Sequence, residues 1–287
     1  MSTFRIGSAT PLFFPNEWRE YDSENELDYV QKFAPTDTIL LQLISDSSTA
    51  PTVYIGNCTD AAREFLTLTT TETSTYAING TTYCHTLSLS GLEDGIYYIV
   101  AGGYRSAPFE VTSNEIELEN TKLIRYTHSS NNNPLGNIFT ANGSKVYFEF
   151  RVECGFKSSG IQPKIEAENF RDQFQRTSYL YSYPYLVETL TFGTASGLPA
   201  IFCDFINKIF SLDEVYVDGT RVVRSDSALP QAQQLIENAQ KYVFTLDVEV
   251  QNDDELTDIT SEVISAITDE NGQYITDESG NMLYTEI

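Results

Sequence analysis

The sequence predicts a mainly β protein: two β-rich units followed by an acidic tail. Three observations carry this. Of the 287 residues, 13% are aromatic (18 Tyr, 17 Phe and one Trp), and with abundant Thr and Val they favour strands. Short apolar or alternating runs are separated by turn residues. One segment alone has a persuasive helical stripe. The length exceeds what one small core requires, so two domains are expected. Apolar residues at 41% and charged residues at 20% fit a chain with packed cores and argue against disorder.

The first unit, residues 1–113, reads as short strands. Thr38–Ile44 is an apolar run bounded by Pro35 and by a polar Ser/Asp stretch, which suits a buried strand. Val53–Ile55 stops at Gly56-Asn57. Thr75–Ile78 and Thr81–Leu87 flank Asn79-Gly80, a strong two-residue hairpin signal. Asp60–Phe65 is at most one or two turns of helix. In Gly91–Val100, Asp94-Gly95 turns the chain into an aromatic strand. The succession Leu92, Gly95, Tyr97 matches the tyrosine corner of immunoglobulin-like and fibronectin-like folds, so the expectation is an immunoglobulin-like β-sandwich.

A boundary is expected between Ser113 and Thr121, with the second β-rich domain over 121–250. Lys122–Tyr126 and Lys145–Val152 read as strands around the polar loop Asn131–Gly136. Tyr179, Tyr181, Tyr183 and Tyr185 alternate, and period two would place all four on one sheet face, as ordinary cross-strand packing, as a contact with another protein subunit, or as a sugar-stacking platform. Pro184 demotes the end of that run to an edge strand. The amphipathic helix is predicted over about 198–210. Pro199 stands in its first turn, where proline is tolerated, and Ile201, Phe202, Phe205, Ile206, Ile209 and Phe210 form its apolar stripe. Glu214–Arg224 reads as a hairpin on Asp218-Gly219, and Lys241–Val250 as a last alternating strand.

The extension 251–287 differs in kind. Residues 247–287 carry 12 acidic and no basic residues, half of the net charge of −24. Ile267–Tyr274 is followed at once by its near copy Ile275–Met282. Two copies are too few for a solenoid, which leaves a small hairpin pairing with another chain or a solvated acidic tail. Ile267, Tyr274, Ile275 and Met282 are the candidate contact residues on the first of these readings. Asp269-x-Asn271-Gly272 and Asp277-x-Ser279-Gly280 lack the ligand series and closing Glu of an EF-hand, and their residues suit tight turns without an ion.

The charge excludes whole classes of function. A surface with 41 acidic and 17 basic residues repels phosphate, which argues against nucleic acid and anionic lipid. No run approaches a membrane span, and no signal peptide is predicted. Asn79 and Asn142 therefore read as Asn-Gly turns rather than glycosylation sites. Cys58, Cys84, Cys154 and Cys203 form no C-x-x-C pair, and with His85 and His128 as the sole histidines a zinc site is not expected. Buried free thiols fit best, with a Cys58–Cys84 disulfide left open for a protein maturing outside the cytoplasm. No nucleophile elbow, zincin, Walker A or dinucleotide fingerprint occurs. No enzyme activity, cofactor or metal is expected.

From about Leu123 to Val250 the chain resembles structural tail proteins encoded by phages and prophages of Bacteroidetes bacteria. The resemblance rests on Leu123–His128, Phe150–Phe156, Phe170–Gln173, Tyr183–Tyr185, Thr191–Gly193, Gly197–Pro199, Ile206-Asn207 and Val223–Ser225. The first unit is similar to virion adaptor and accessory domains in general terms. What the resemblance implies is a non-enzymatic virion component near the tail tip or baseplate. It would be made in the bacterial host cytoplasm and assembled as a ring or trimer with other tail proteins and copies of itself. A second hypothesis is a carbohydrate-binding module contacting host surface glycan through Tyr179 to Tyr185. A third is a tail-associated glycan-cleaving enzyme, for which the sequence offers no identifiable site.

Overall fold

The computed structural model describes residues 4–14, 29–45, 52–58, 66–67, 71–77, 81–101, 104–133, 135–141, 143–157, 160–193, 197–225, 231–234, 241–250, 265–266 and 284–285. The chain is mainly β. It divides into one compact unit, Met1–Val250, and a second, Gln251–Ile287.

The first ten strands are β1 (Phe4–Ile6), β2 (Gln31–Phe33), β3 (Thr38–Ser45), β4 (Val53–Asn57), β5 (Leu66–Thr67), β6 (Thr71–Ala77), β7 (Thr81–Ser88), β8 (Gly95–Ala101), β9 (Tyr104–Arg105) and β10 (Phe109–Val111). They form two sheets, one ordered β1-β3-β7-β6 and the other β2-β10-β8-β4-β5 with β9 on β8. Every pairing is antiparallel except β2 with β10, which is parallel. Alternate residues of both sheets, among them Ile39, Leu41, Leu43, Tyr83, Ile55, Ile99 and Phe109, turn into one shared apolar cluster. Tyr97 stands at the start of β8 and its hydroxyl donates to the Glu93 carbonyl at 2.8 Å, which pins the turn that feeds the strand. The register pairs Ala77 with Thr81, so β6 and β7 are antiparallel neighbours; the expected turn at Asn79-Gly80 lies outside the described residues. The expected helical turn at 60–65 lies outside the described residues.

The boundary expected at 113–121 is occupied by a short helix, α1 (Glu115–Glu119), whose N-cap Asn114 accepts from the Ile116 amide. Beyond it come β11 (Thr121–Thr127), the two-residue strands β12 (Thr140–Ala141) and β13 (Ser144–Lys145), β14 (Phe148–Phe156), β15 (Gln162–Arg171), β16 (Thr177–Phe192), α2 (Ala200–Ile209), β17 (Glu214–Val217), β18 (Thr220–Arg224), β19 (Gln231–Gln234) and β20 (Tyr242–Val250). The predicted turn at Asp218-Gly219 joins β17 to β18 with positive φ at both residues (47° and 86°), the type I′ geometry that follows strand twist. Strand order runs β15-β16-β14-β11-β17-β18-β20-β19, and β16 also pairs with β20 from Val187↔Glu249 to Phe192↔Phe244. That extra ladder closes six strands into an antiparallel barrel, a closure the sequence reading did not foresee. Burial alternates along β14 from Phe148 to Cys154, as a barrel wall requires.

The predicted helix is α2. Ile201, Phe202, Phe205, Ile206 and Ile209 are all buried among Phe150, Phe192, Phe244 and other inward residues of the barrel. Ala9, Phe13, Leu40 and Cys84 of the first segment join the same core; Phe13 lies edge-on to Phe205 at 5.5 Å between ring centroids, and the Tyr126 hydroxyl donates to the Ala9 carbonyl at 2.6 Å.

Two polar clamps complete this seam. Gln42 is fully buried; its Oε1 accepts from Asn137 Nδ2 and from the Ile138 amide, and Asn137 Oδ1 accepts from the Ala9 amide. In the other clamp Arg151 donates Nε to Asp37 Oδ2 at 2.6 Å and a terminal nitrogen to Oδ1 at 2.8 Å. The Asp37 side chain is 2% exposed and that of Arg151 13%.

Burial pushes the Cys154 thiol and the Tyr126 hydroxyl well above their ordinary pKa values. The folded chain therefore keeps protons that the unfolded chain releases from about pH 8.5 for Cys and about pH 10 for Tyr. Stability is fully present below that range and falls as pH rises through it, by up to about 1.4 kcal/mol per pH unit for each group. Melting curves from neutral pH upward are expected to reveal this fall, and Cys154→Val should reduce the part that begins first, leaving what Cys203 contributes, whose thiol burial also pushes up. A flat profile to about pH 10 would contradict it.

Candidate functional site

The candidate residues Tyr179 to Tyr185 stand on a projecting β-ribbon. β15 pairs with the first part of β16 from Gln162↔Val187 to Arg171↔Thr177, and β16 reaches the barrel walls only from Val187 onward. Both outer edges of the ribbon lack a strand partner among the described residues. Nearly every side chain from Ile161 to Tyr183 is exposed, on both faces. Eight of the eleven large apolar side chains exposed among the described residues lie here: Ile161, Ile165, Phe170, Phe174, Tyr179, Leu180, Tyr181 and Tyr183. Surface hydrophobes normally occur singly and scattered; their concentration here makes the ribbon the candidate interaction surface.

The expected single row of four tyrosines is corrected by the register. Tyr181 pairs with Glu168, but Tyr179 pairs with Asn169, the next residue of β15. Neighbours along β15 face opposite ways, so Tyr179 lies on the face opposite Tyr181. The cause is a bulge in which Leu180 is the extra residue. Tyr181, Tyr183 and Tyr185 keep the predicted row, beside Glu168, Glu166 and Lys164. The Tyr181 hydroxyl donates to Glu166 Oε1 at 3.3 Å, and the Glu166 charge pushes its pKa up. Tyr185 is half-buried where the ribbon meets the barrel. Ile165 and Phe174 were not singled out from the sequence, and Phe170 entered only through the resemblance; the signal available was that they share with the tyrosine run a stretch rich in apolar residues.

His85 is buried on β7, while half-buried His128 accepts at Nδ1 from the Ser130 amide. All four cysteines are free; Cys58 is exposed and Cys84 buried, in segments of different sheets. Among the described residues no group of three or more His, Cys, Asp and Glu side chains could hold a metal, and no helix is long and apolar enough to cross a membrane. A cavity between Leu12, Tyr29, Pro108 and Phe202 has a volume of about 10 Å³, the room one water needs. Ile267, Tyr274, Ile275 and Met282 lie outside the described residues. Flanking them are β21 (Ser265–Ala266) and β22 (Tyr284–Thr285), which pair antiparallel.

No protein-family model, curated protein or solved structure matches the chain.

Proposed function

We propose that the chain is a non-enzymatic structural component of a phage virion, at the tail tip or baseplate, acting through contacts with other tail proteins and with copies of itself. The observation that carries this reading is the ribbon, two strands bare on both faces and studded with aromatic and aliphatic side chains. An isolated hairpin is marginal in water, and its apolar surface gains by being covered. Tyrosine suits protein contacts because it offers area and a polar tip at low entropic cost. The first ten strands are read as an immunoglobulin-like sandwich. Supporting that reading are the β1-β3-β7-β6 and β2-β10-β8-β4 sheets and the Tyr97 corner at the start of β8, which correspond to the strand arrangement of that architecture.

Shortening the ribbon tests the proposal. Replacing residues 165–184 by Asn-Gly keeps the Lys164↔Tyr185 pair as the last rung and supplies a turn that closes it. The variant should fold as the parent does and fail to enter virions. Normal incorporation would refute the structural role. Binding of isolated chain to host glycan, lost with Tyr181→Ala and Tyr183→Ala, would favour the carbohydrate-binding reading instead.

A further inference from the structure

The ribbon tip carries cations that the chain leaves uncommitted. In the tip, Asp172 Oδ1 accepts from the amides of Phe174 and Arg176, each at 2.8 Å, so its carboxylate serves the turn. Arg171 reaches Gln175 Oε1 at 3.5 Å, and Arg176 stands 5.8 Å from the centroid of the Phe174 ring. Neither guanidinium has a carboxylate partner among the described residues. Phe174, between them, is 70% exposed. From Ile161 to Val187 the ribbon holds three basic residues (Lys164, Arg171, Arg176) and three acidic ones (Glu166, Glu168, Asp172) in a chain of net charge −24. It is a segment that can approach another copy without like-charge repulsion.

The complementary chemistry lies at α1. Ile116 is 75% exposed, flanked by exposed Glu115 and Glu119, with no basic residue in the last turn. Lys32 is engaged by Glu117 at 2.7 Å. One chain cannot bring the two together. The helix leads into β11, whose first residue Thr121 pairs with Glu153, three residues before β14 ends and the ribbon departs. Arg171 lies nine residues along β15 from Gln162, or roughly 30 Å of strand. Tip and α1 thus occupy opposite ends of the ribbon.

We propose that the ribbon tip of one copy docks on the α1 corner of a second copy of this chain, with Phe174 against Ile116 and Arg171 and Arg176 facing Glu115 and Glu119. This rests on the structural reading above and names its partner. The test is sedentary in design: sedimentation of the full chain from about 1 to 100 µM, with R171E/R176E, with E115K/E119K, and with the two variants mixed. All the altered side chains are exposed, and circular dichroism checks that the variants fold. The parent chain should self-associate. Each variant alone should associate at least roughly tenfold more weakly, and the mixture should regain affinity because the charges are again opposite. A parent that stays monomeric overturns the docking, as do charge reversals without effect or a mixture that is not rescued. If such a chain still enters virions and ribbon shortening still blocks entry, the structural reading stands and the self-docking alone has failed.

Discussion

Replacing Asp37 with alanine is expected to destabilise the chain by about 3–5 kcal/mol, because it strands the Arg151 guanidinium in a largely dehydrated seam. The carboxylate also accepts from the Ala34 amide at 2.8 Å, and Arg151 donates to Thr121 Oγ1 at 3.1 Å; the deletion therefore disturbs β3, β11 and β14 together. Removing both charges at once, as in Asp37→Leu with Arg151→Met, should cost much less, since no buried ion is left unpaired. Urea unfolding of both single variants and the double variant measures this as a cycle. Additive losses would mean that the pair holds nothing together. Total stabilities are commonly only about 5–15 kcal/mol, so stranding this one charge would remove a large share of what holds the chain folded.

A loss of similar size, about 3–5 kcal/mol, is expected for Phe205→Ala in α2. Its ring is 1% exposed and lies 4.9 Å from Phe150, 5.5 Å from Phe13 and 6.4 Å from Tyr126 between centroids. The void would open where helix, barrel wall and N-terminal segment meet. Phe174→Ala in the ribbon tip removes an equal volume from an exposed site and should change stability by no more than about 0.5 kcal/mol. Equal losses at the two positions would contradict the account of the core.

These two substitutions also separate what was legible in the sequence from what was not. The α2 stripe and the alternation in β14 and β20 could be read because each is a local period with one buried face. Asp218-Gly219 was equally plain, since it needs positive φ at two successive residues. Closure of the barrel was hidden: β16 is one strand whose early residues pair with β15 and whose last six pair with β20, and period two says nothing about partners. Phe13 and Gln42 gave no sign that they would meet Phe205 and Asn137, because those contacts join distant segments. The helix α1 has five residues and none buried, so no stripe announced it. In the ribbon, the tyrosine alternation was visible and its projection from the barrel was not. The bulge at Leu180 then moved Tyr179 to the other face, which no single-strand pattern encodes.

Amide exchange over residues 177–186 is the most direct measurement of the central claim, that the ribbon exists to be covered by protein. In the isolated chain these amides should exchange quickly, as befits a two-stranded element exposed on both faces. In purified virions containing the chain, their exchange should slow by at least about tenfold, while amides of the barrel core change little. Equal rates in the two states would contradict the account.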